Sequence, residues 1–233
     1  MAYTSPHSVR EYLVAASLRV VHQSIVCCQA RSKDWKKDYL SNLREIDICA
    51  QLADYFGYSA RLAAQGNSDI DLVVKGPTLR AEVKYFRPPA VAWTSASVKK
   101  DWDWLLNCST AGEFRKRAWL VFWPCASTGM FKLTNCLSVS RSRGTQFSLE
   151  DFAPFATYAT PEMPANGQNQ RLRFHNYPRE SYVSLPGGKT VRVDLVGSHT
   201  HPLWCAIYTR VKSTDVPAGA TCTAINNTPI VVP

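Results

Sequence analysis

No apolar run in this 233-residue chain approaches the length of roughly 20 residues that a membrane-crossing helix needs. The opening stretch from Met1 to Arg10 lacks the basic-then-apolar layout of a secretory leader. There is no CxxC pair. Cys27 and Cys28 are adjacent, and the other six of the eight cysteines are scattered at 49, 108, 125, 136, 205 and 222. The five histidines complete no zinc pattern. These absences argue against a membrane protein, a disulfide scaffold and a zinc module, and predict a soluble, cytoplasmic protein whose thiols are free and mostly buried. Acid is also scarce: 18 Asp and Glu stand against 27 Lys and Arg, a net charge of +9. That balance favours polyanionic partners without naming one. Internal repeats and heptads are missing. What the chain has is 45% hydrophobic residues, ample for one sizeable core with or without a smaller appended unit.

Ser5-Pro6 reads as a helix start, a capping hydroxyl followed by proline in the first turn. Val9, Leu13, Ala16, Val20 and Val21 then recur at helical spacing to about Ala30. After a charged connection at Arg31 to Asp38, the stripe Tyr39, Leu43, Ile46, Ala50 and Ala53 predicts a second helix over about Trp35 to Phe56, stopped by Gly57. Strands are expected at Tyr58 to Leu62, Ile70 to Val74 and Leu79 to Tyr85, the last two joined by the turn Lys75-Gly76-Pro77-Thr78. A helix at Val98 to Leu106 and a buried strand at Ala118 to Trp123 follow. Beyond about residue 130 the texture becomes β-rich, with runs at Arg171 to Phe174, Tyr182 to Leu185, Val191 to Val196 and Leu203 to Val211. Pro186-Gly187-Gly188-Lys189 reads as a hairpin turn. The natural division is 1–130 and 131–233, the second part either packed on the first or forming a subdomain.

Chemistry concentrates in "SDIDLVVKGPTLRAEVKYF", residues 68 to 86. An even-length loop centred on Gly76-Pro77 sets Asp71 opposite Glu82 and Asp69 opposite Lys84, with facing Cβ atoms about 4.5–5.5 Å apart. Strand side chains alternate, so 69 and 71 share one face, as do 82 and 84. Carboxylates pressed together repel, and one tends to keep a proton. A hard divalent cation relieves this, and magnesium is often held by only one or two carboxylates plus substrate phosphate. Lys84 on the same face is suited to orient or deprotonate an attacking water, or to stabilise charge growing on phosphate oxygens. Acid-any-lysine by itself carries little weight, since Asp34-Trp35-Lys36 repeats it in a charged connection. Glu82-Val83-Lys84 differs in its context: an apolar strand, a partner strand bearing Asp71, and a preceding helix bearing Glu45. Ile48, Cys49 and Leu52 lie three, four and seven residues after Glu45, which puts Glu45 on an apolar flank of that helix.

The order helix with Glu, acidic strand, (D/E)xK strand, helix, strand resembles the restriction-endonuclease-like PD-(D/E)xK phosphodiesterase superfamily. It is carried by "REIDICAQLADYFGY", "SDIDLVV", "RAEVKYF", "ASVKKDWDWLL" and "AWLVFW", about residues 38 to 125. The resemblance implies an α+β fold, a mixed sheet flanked by helices, here followed by a β-rich C-terminal half. It also implies a magnesium-dependent endonuclease in which manganese can substitute. Glu45 takes the place of the helix acid, Asp71 of the first metal-binding aspartate, Glu82 of the second metal ligand and Lys84 of the catalytic lysine, with the carbonyl of Val83 as a further ligand. The chain departs from the pattern in having Asn67-Ser68 where a proline would precede the aspartate. Asp69 and Asp71 both compete for the first ligand position. Asp69 sits where "PD" falls and Asp71 matches a variant form and pairs with Glu82, so Asp71 is preferred.

A nucleic acid, DNA first, is the expected partner. Lys99 and Lys100 on the helix after the hairpin and Arg115 and Lys116 before the next strand are the candidate phosphate contacts, with Arg117 beside them. Arg141, Arg143, Arg171, Arg173 and Arg179 continue the basic character. Trp102, Trp104, Phe147, Phe174 and Tyr177 are candidates for base stacking. Nucleases of this type often cut two strands with paired sites, which makes a homodimer compatible. The competing reading is a non-catalytic nucleic-acid- or protein-binding protein on a nuclease-like scaffold. A cysteine hydrolase built from Cys205, His199, His201 and Asp194 is the remaining option.

Overall fold

The computed structural model describes residues 6–29, 39–57, 60–62, 71–74, 79–85, 93–107, 116–124, 139–140, 180–185, 188–197, 202–218, 220, 222–224 and 229–230. The connection at 31–38, the turn at 75–78 and the expected strand at 171–174 lie outside these residues. Helix α1 (Pro6–Gln29) opens on its proline and buries Leu13, Ala16, Val20 and Val21, as their spacing predicts. The helix expected over 35–56 is broken. A helical turn at 39–42 ends, Arg44 is extended at φ −120° and ψ 160°, and α2 starts afresh as Glu45–Phe56. The Asp47 carboxylate accepts the Arg44 N–H at 2.9 Å and so caps the new start. The break also moves the stripe. Ile48, Cys49, Leu52 and Phe56 are buried, whereas Ile46 is 44% exposed and Ala50 is exposed. Gly57 ends α2 at φ 58°, a left-handed backbone that a residue with a Cβ seldom adopts.

Three short antiparallel strands follow: β1 (Ala60–Leu62), β2 (Leu72–Val74) and β3 (Leu79–Tyr85). Strand β4 (Trp93–Thr94) leads into α3 (Ser95–Leu106), and the chain returns as β5 (Arg117–Pro124), parallel to β3. Strand β6 (Val139–Ser140) pairs with β4 in a small separate sheet. Then come β7 (Glu180–Leu185), β8 (Lys189–Val196), β9 (Leu203–Val211), β10 (Cys222–Ala224) and β11 (Pro229–Ile230). Leu185 pairs with Lys189, so a three-residue loop joins β7 to β8, with Gly188 at φ 71°.

The second-half strands do not form a sheet of their own. Strand β9 pairs with β5 over seven residues, Ala118–Pro124 against Thr209–Leu203, and the result is one mixed sheet in the order β1-β2-β3-β5-β9-β8-β7-β10-β11. The molecule is α+β. One face of the sheet packs on α1 and α2 through Leu72, Val74, Ala81, Val83, Ala118, Leu120, Phe122, Cys205 and Ile207. Alternation sends Glu82, Trp119 and Tyr208 to the opposite face, where α3 lies and where the Trp119 and Tyr208 rings pack with centroids 5.0 Å apart and planes tilted by 39°. On the first face, Arg10 of α1 grips the buried Asp194 of β8 with two bonds of 2.8 and 2.6 Å. Among the described residues, no helix is long and apolar enough to cross a membrane.

Candidate active site

Leu72 faces Ala81, Val73 faces Arg80 and Val74 faces Leu79. Four residues therefore separate β2 from β3, the even connection that an Asp71–Glu82 pairing requires. Asp71 immediately precedes β2. Its Oδ2 accepts the Val83 N–H at 2.7 Å, which sets its charge beside the Glu82 carboxyl. Glu82 is only 4% exposed. Burial, then the Asp71 charge, then that of Asp101 push its carboxyl up to about 9, so near neutrality it holds a proton. Two carboxyl groups crowded together in a dry setting make an arrangement that a cation would relieve.

Lys84 emerges two residues further along the same face. Its Nζ lies 3.5 Å from Glu45 Oε2 and 3.4 Å from Asp101 Oδ2. Burial works against its charge, but Glu45, Asp101, Asp71 and Glu82 together outweigh burial and hold the ammonium well above its ordinary range. Glu45 is the first residue of α2. Burial raises its carboxyl to about 7, against the opposing pull of Lys84 and a hydrogen bond from the Tyr85 N–H. The α2 start is itself fixed to this strand, because the Tyr85 hydroxyl donates to the Leu40 carbonyl at 2.6 Å. Cys49, one turn along α2 from Glu45, is buried beneath the cluster, and burial followed by the Asp71 and Glu45 charges pushes its thiol up.

Four residues named from sequence thus come together: Glu45, Asp71, Glu82 and Lys84. Asp101 joins them unanticipated. It is 6% exposed, and burial raises its carboxyl against the pull of Lys84. Read in "KKDWDWLL" it looks like a solvated helix acid. The signal lay in its spacing: Asp101 is four residues before the fully buried Leu105 and so shares the inward face of α3. Asp69 and Arg115 lie outside the described residues, as do Arg141, Arg143, Arg171, Arg173, Arg179, Phe147, Phe174 and Tyr177. Lys99 lies in α3, Lys100 is exposed there beside Asp101, and Lys116 is exposed just before β5.

The surroundings of two further sequence candidates are visible. Arg117 and Trp104 engage each other, with the guanidinium 5.0 Å over the indole and Nη1 donating to the Trp104 carbonyl at 2.7 Å, so this ring face is already occupied by a cation. Cys205 is fully buried and its thiol is pushed up by burial, and Asp194 is taken by Arg10 and Arg192, which corrects the hydrolase reading built on Cys205; His199 and His201 lie outside the described residues. Among the described residues no group of three or more His, Cys, Asp or Glu side chains is arranged to hold a metal ion. A cation here would rest on two carboxylates, a backbone carbonyl and water, a set that suits magnesium. No known protein family, no curated protein and no solved structure matches this chain.

Proposed function

We propose that this protein is a magnesium-dependent nuclease that hydrolyses phosphodiester bonds in nucleic acid, with DNA as the first substrate to test. The observation that carries this reading is the side-by-side pair Asp71 and Glu82, with Lys84 two residues along the same strand and Glu45 approaching from α2. The element order α2-β1-β2-β3-β4-α3-β5, with β5 parallel to β3 and β4 only two residues long, supports the restriction-endonuclease-like resemblance over the same stretch. Asp71, Glu82 and the Val83 carbonyl would hold the ion. Magnesium bound there would supply Lewis-acid polarisation of phosphate and water.

The chain's own residues divide the remaining work. Lys84 lies against Glu45 and Asp101, which favour its ammonium form and suit it to place positive charge against the phosphate oxygens. Glu45, raised to about 7, is the member of the cluster tuned to accept a proton near neutral pH. Asp101 fixes the Lys84 ammonium from the α3 side.

Incubation with plasmid, duplex and single-stranded DNA in magnesium, manganese or chelator tests the proposal. Metal-dependent cleavage that disappears in Glu82→Ala and Lys84→Ala supports it. Binding without cleavage under every metal condition, unchanged by those substitutions, would replace it with a non-catalytic binding protein on the same scaffold.

A further inference from the structure

Arg80 of β3 faces Arg117 of β5 in the parallel ladder. The β5–β9 register, in which Ala118 faces Thr209, carries on to set Arg117 beside Arg210. Three arginines thus form a row across three neighbouring strands, on the sheet face that also carries Glu82. Like charges directly opposed across strands are unfavourable by themselves, and β5 and β9 contain no acid to offset them. Part of the charge is met by the C-terminus of α3. Arg117 donates to the Trp104 carbonyl at 2.7 Å, Arg210 to the Leu106 carbonyl at 3.0 Å, and Lys189 Nζ meets Asn107 Oδ1 at 3.3 Å. These bonds hold two of the guanidinium groups in fixed positions. Arg80 and Lys116 stand exposed outside that cap.

We infer that this row is a track for the sugar-phosphate backbone of a nucleic acid, leading to the acid cluster. Arg80 lies two residues before Glu82 on one strand face, a spacing of roughly 7 Å. Its ladder partner Val73 is two residues after Asp71 and only half-buried, so the sheet surface between the row and the acids is not sealed by packing. Helix α3 spans both features, with Asp101 toward the acids and its last carbonyls on the arginines. The inference depends on the nuclease reading for what the strand is held for, and not for the binding itself.

The test separates the two. Fluorescence anisotropy with a short labelled DNA, duplex or single-stranded, is run in chelator so that no cleavage occurs, across a series of salt concentrations. Arg80→Ala combined with Lys116→Ala changes two exposed side chains and should leave the melting temperature unchanged. The expected result is about a fivefold or greater rise in Kd and a log Kd against log salt slope shallower by roughly one to two. An unchanged Kd and an unchanged slope in the double variant overturn the track. Weakened binding in that variant, together with no cleavage by the wild type in magnesium or manganese, supports the track and sinks the nuclease reading.

Discussion

Glu82 is an acid held in the state least like its free form. Its carboxyl is raised from an ordinary 4.5 to about 9, so the folded chain keeps a proton that the unfolded chain releases above about 4.5. Folding is therefore favoured at low pH, and this contribution is lost as pH rises from about 4.5 through about 9. Glu82→Gln mimics the protonated form. It should melt higher than the wild type by about 5 °C at a pH of about 8 and lose that advantage at a pH of about 4.5, while showing no cleavage. Magnesium should raise the melting temperature of the wild type and leave Glu82→Gln unmoved, which calorimetry with and without chelator reads directly. Asp101→Asn keeps the shape but removes one charge from the Lys84 cage. Cleavage should slow about tenfold, on the order of 1.4 kcal/mol of barrier, with DNA affinity in chelator unchanged. Of these groups, Glu82 and Lys84 were legible because strand alternation and the even loop place them by arithmetic. Asp101 was not, because its partner Lys84 comes from another element 17 positions away.

At the scale of elements, the position of Glu45 depends on where α2 begins. Asp47→Ala removes the carboxylate that accepts the Arg44 N–H and should cost about 1 kcal/mol in urea unfolding. Cleavage should fall as well, because the first turn that carries Glu45 frays. The break before α2 escaped the periodic reading for a physical reason. Leu40 and Leu43 are buried, and the next buried residue is Ile48, five positions on from Leu43. That skip resets the helical phase, and a stripe drawn straight through it lands on Ile46 and Ala50, which face solvent. The β2–β3 hairpin was legible from Gly76-Pro77 between two apolar runs, but the even parity of its loop was an assumption that the Leu72–Ala81 register supplies.

Over the whole molecule, the union of the two halves is what the chain concealed most. The β5–β9 ladder joins residues about 80 to 90 apart in sequence, and no local pattern announces it. Its consequence is testable. A fragment comprising residues 1–130 loses the strand that covers one edge of β5. It also loses Cys205 and Ile207 from the core under α1 and α2, and Asp194, the partner of Arg10. The fragment should aggregate or stay unfolded by far-UV circular dichroism and size-exclusion chromatography, whereas an independently folded fragment would show that the halves are separable. The β-rich character of the second half was readable from its alternating runs, but its place in the sheet was not.

Cys49 gives the cluster an internal clock. Its sulfur is sealed under the acids, so an alkylating reagent can reach it only during the moments when α2 lifts from the sheet. The rate at which that one cysteine is modified, followed by peptide mapping, measures how often the charged centre comes apart. A cation that knits Asp71 to Glu82 should slow the clock, and Glu82→Ala should make it indifferent to magnesium.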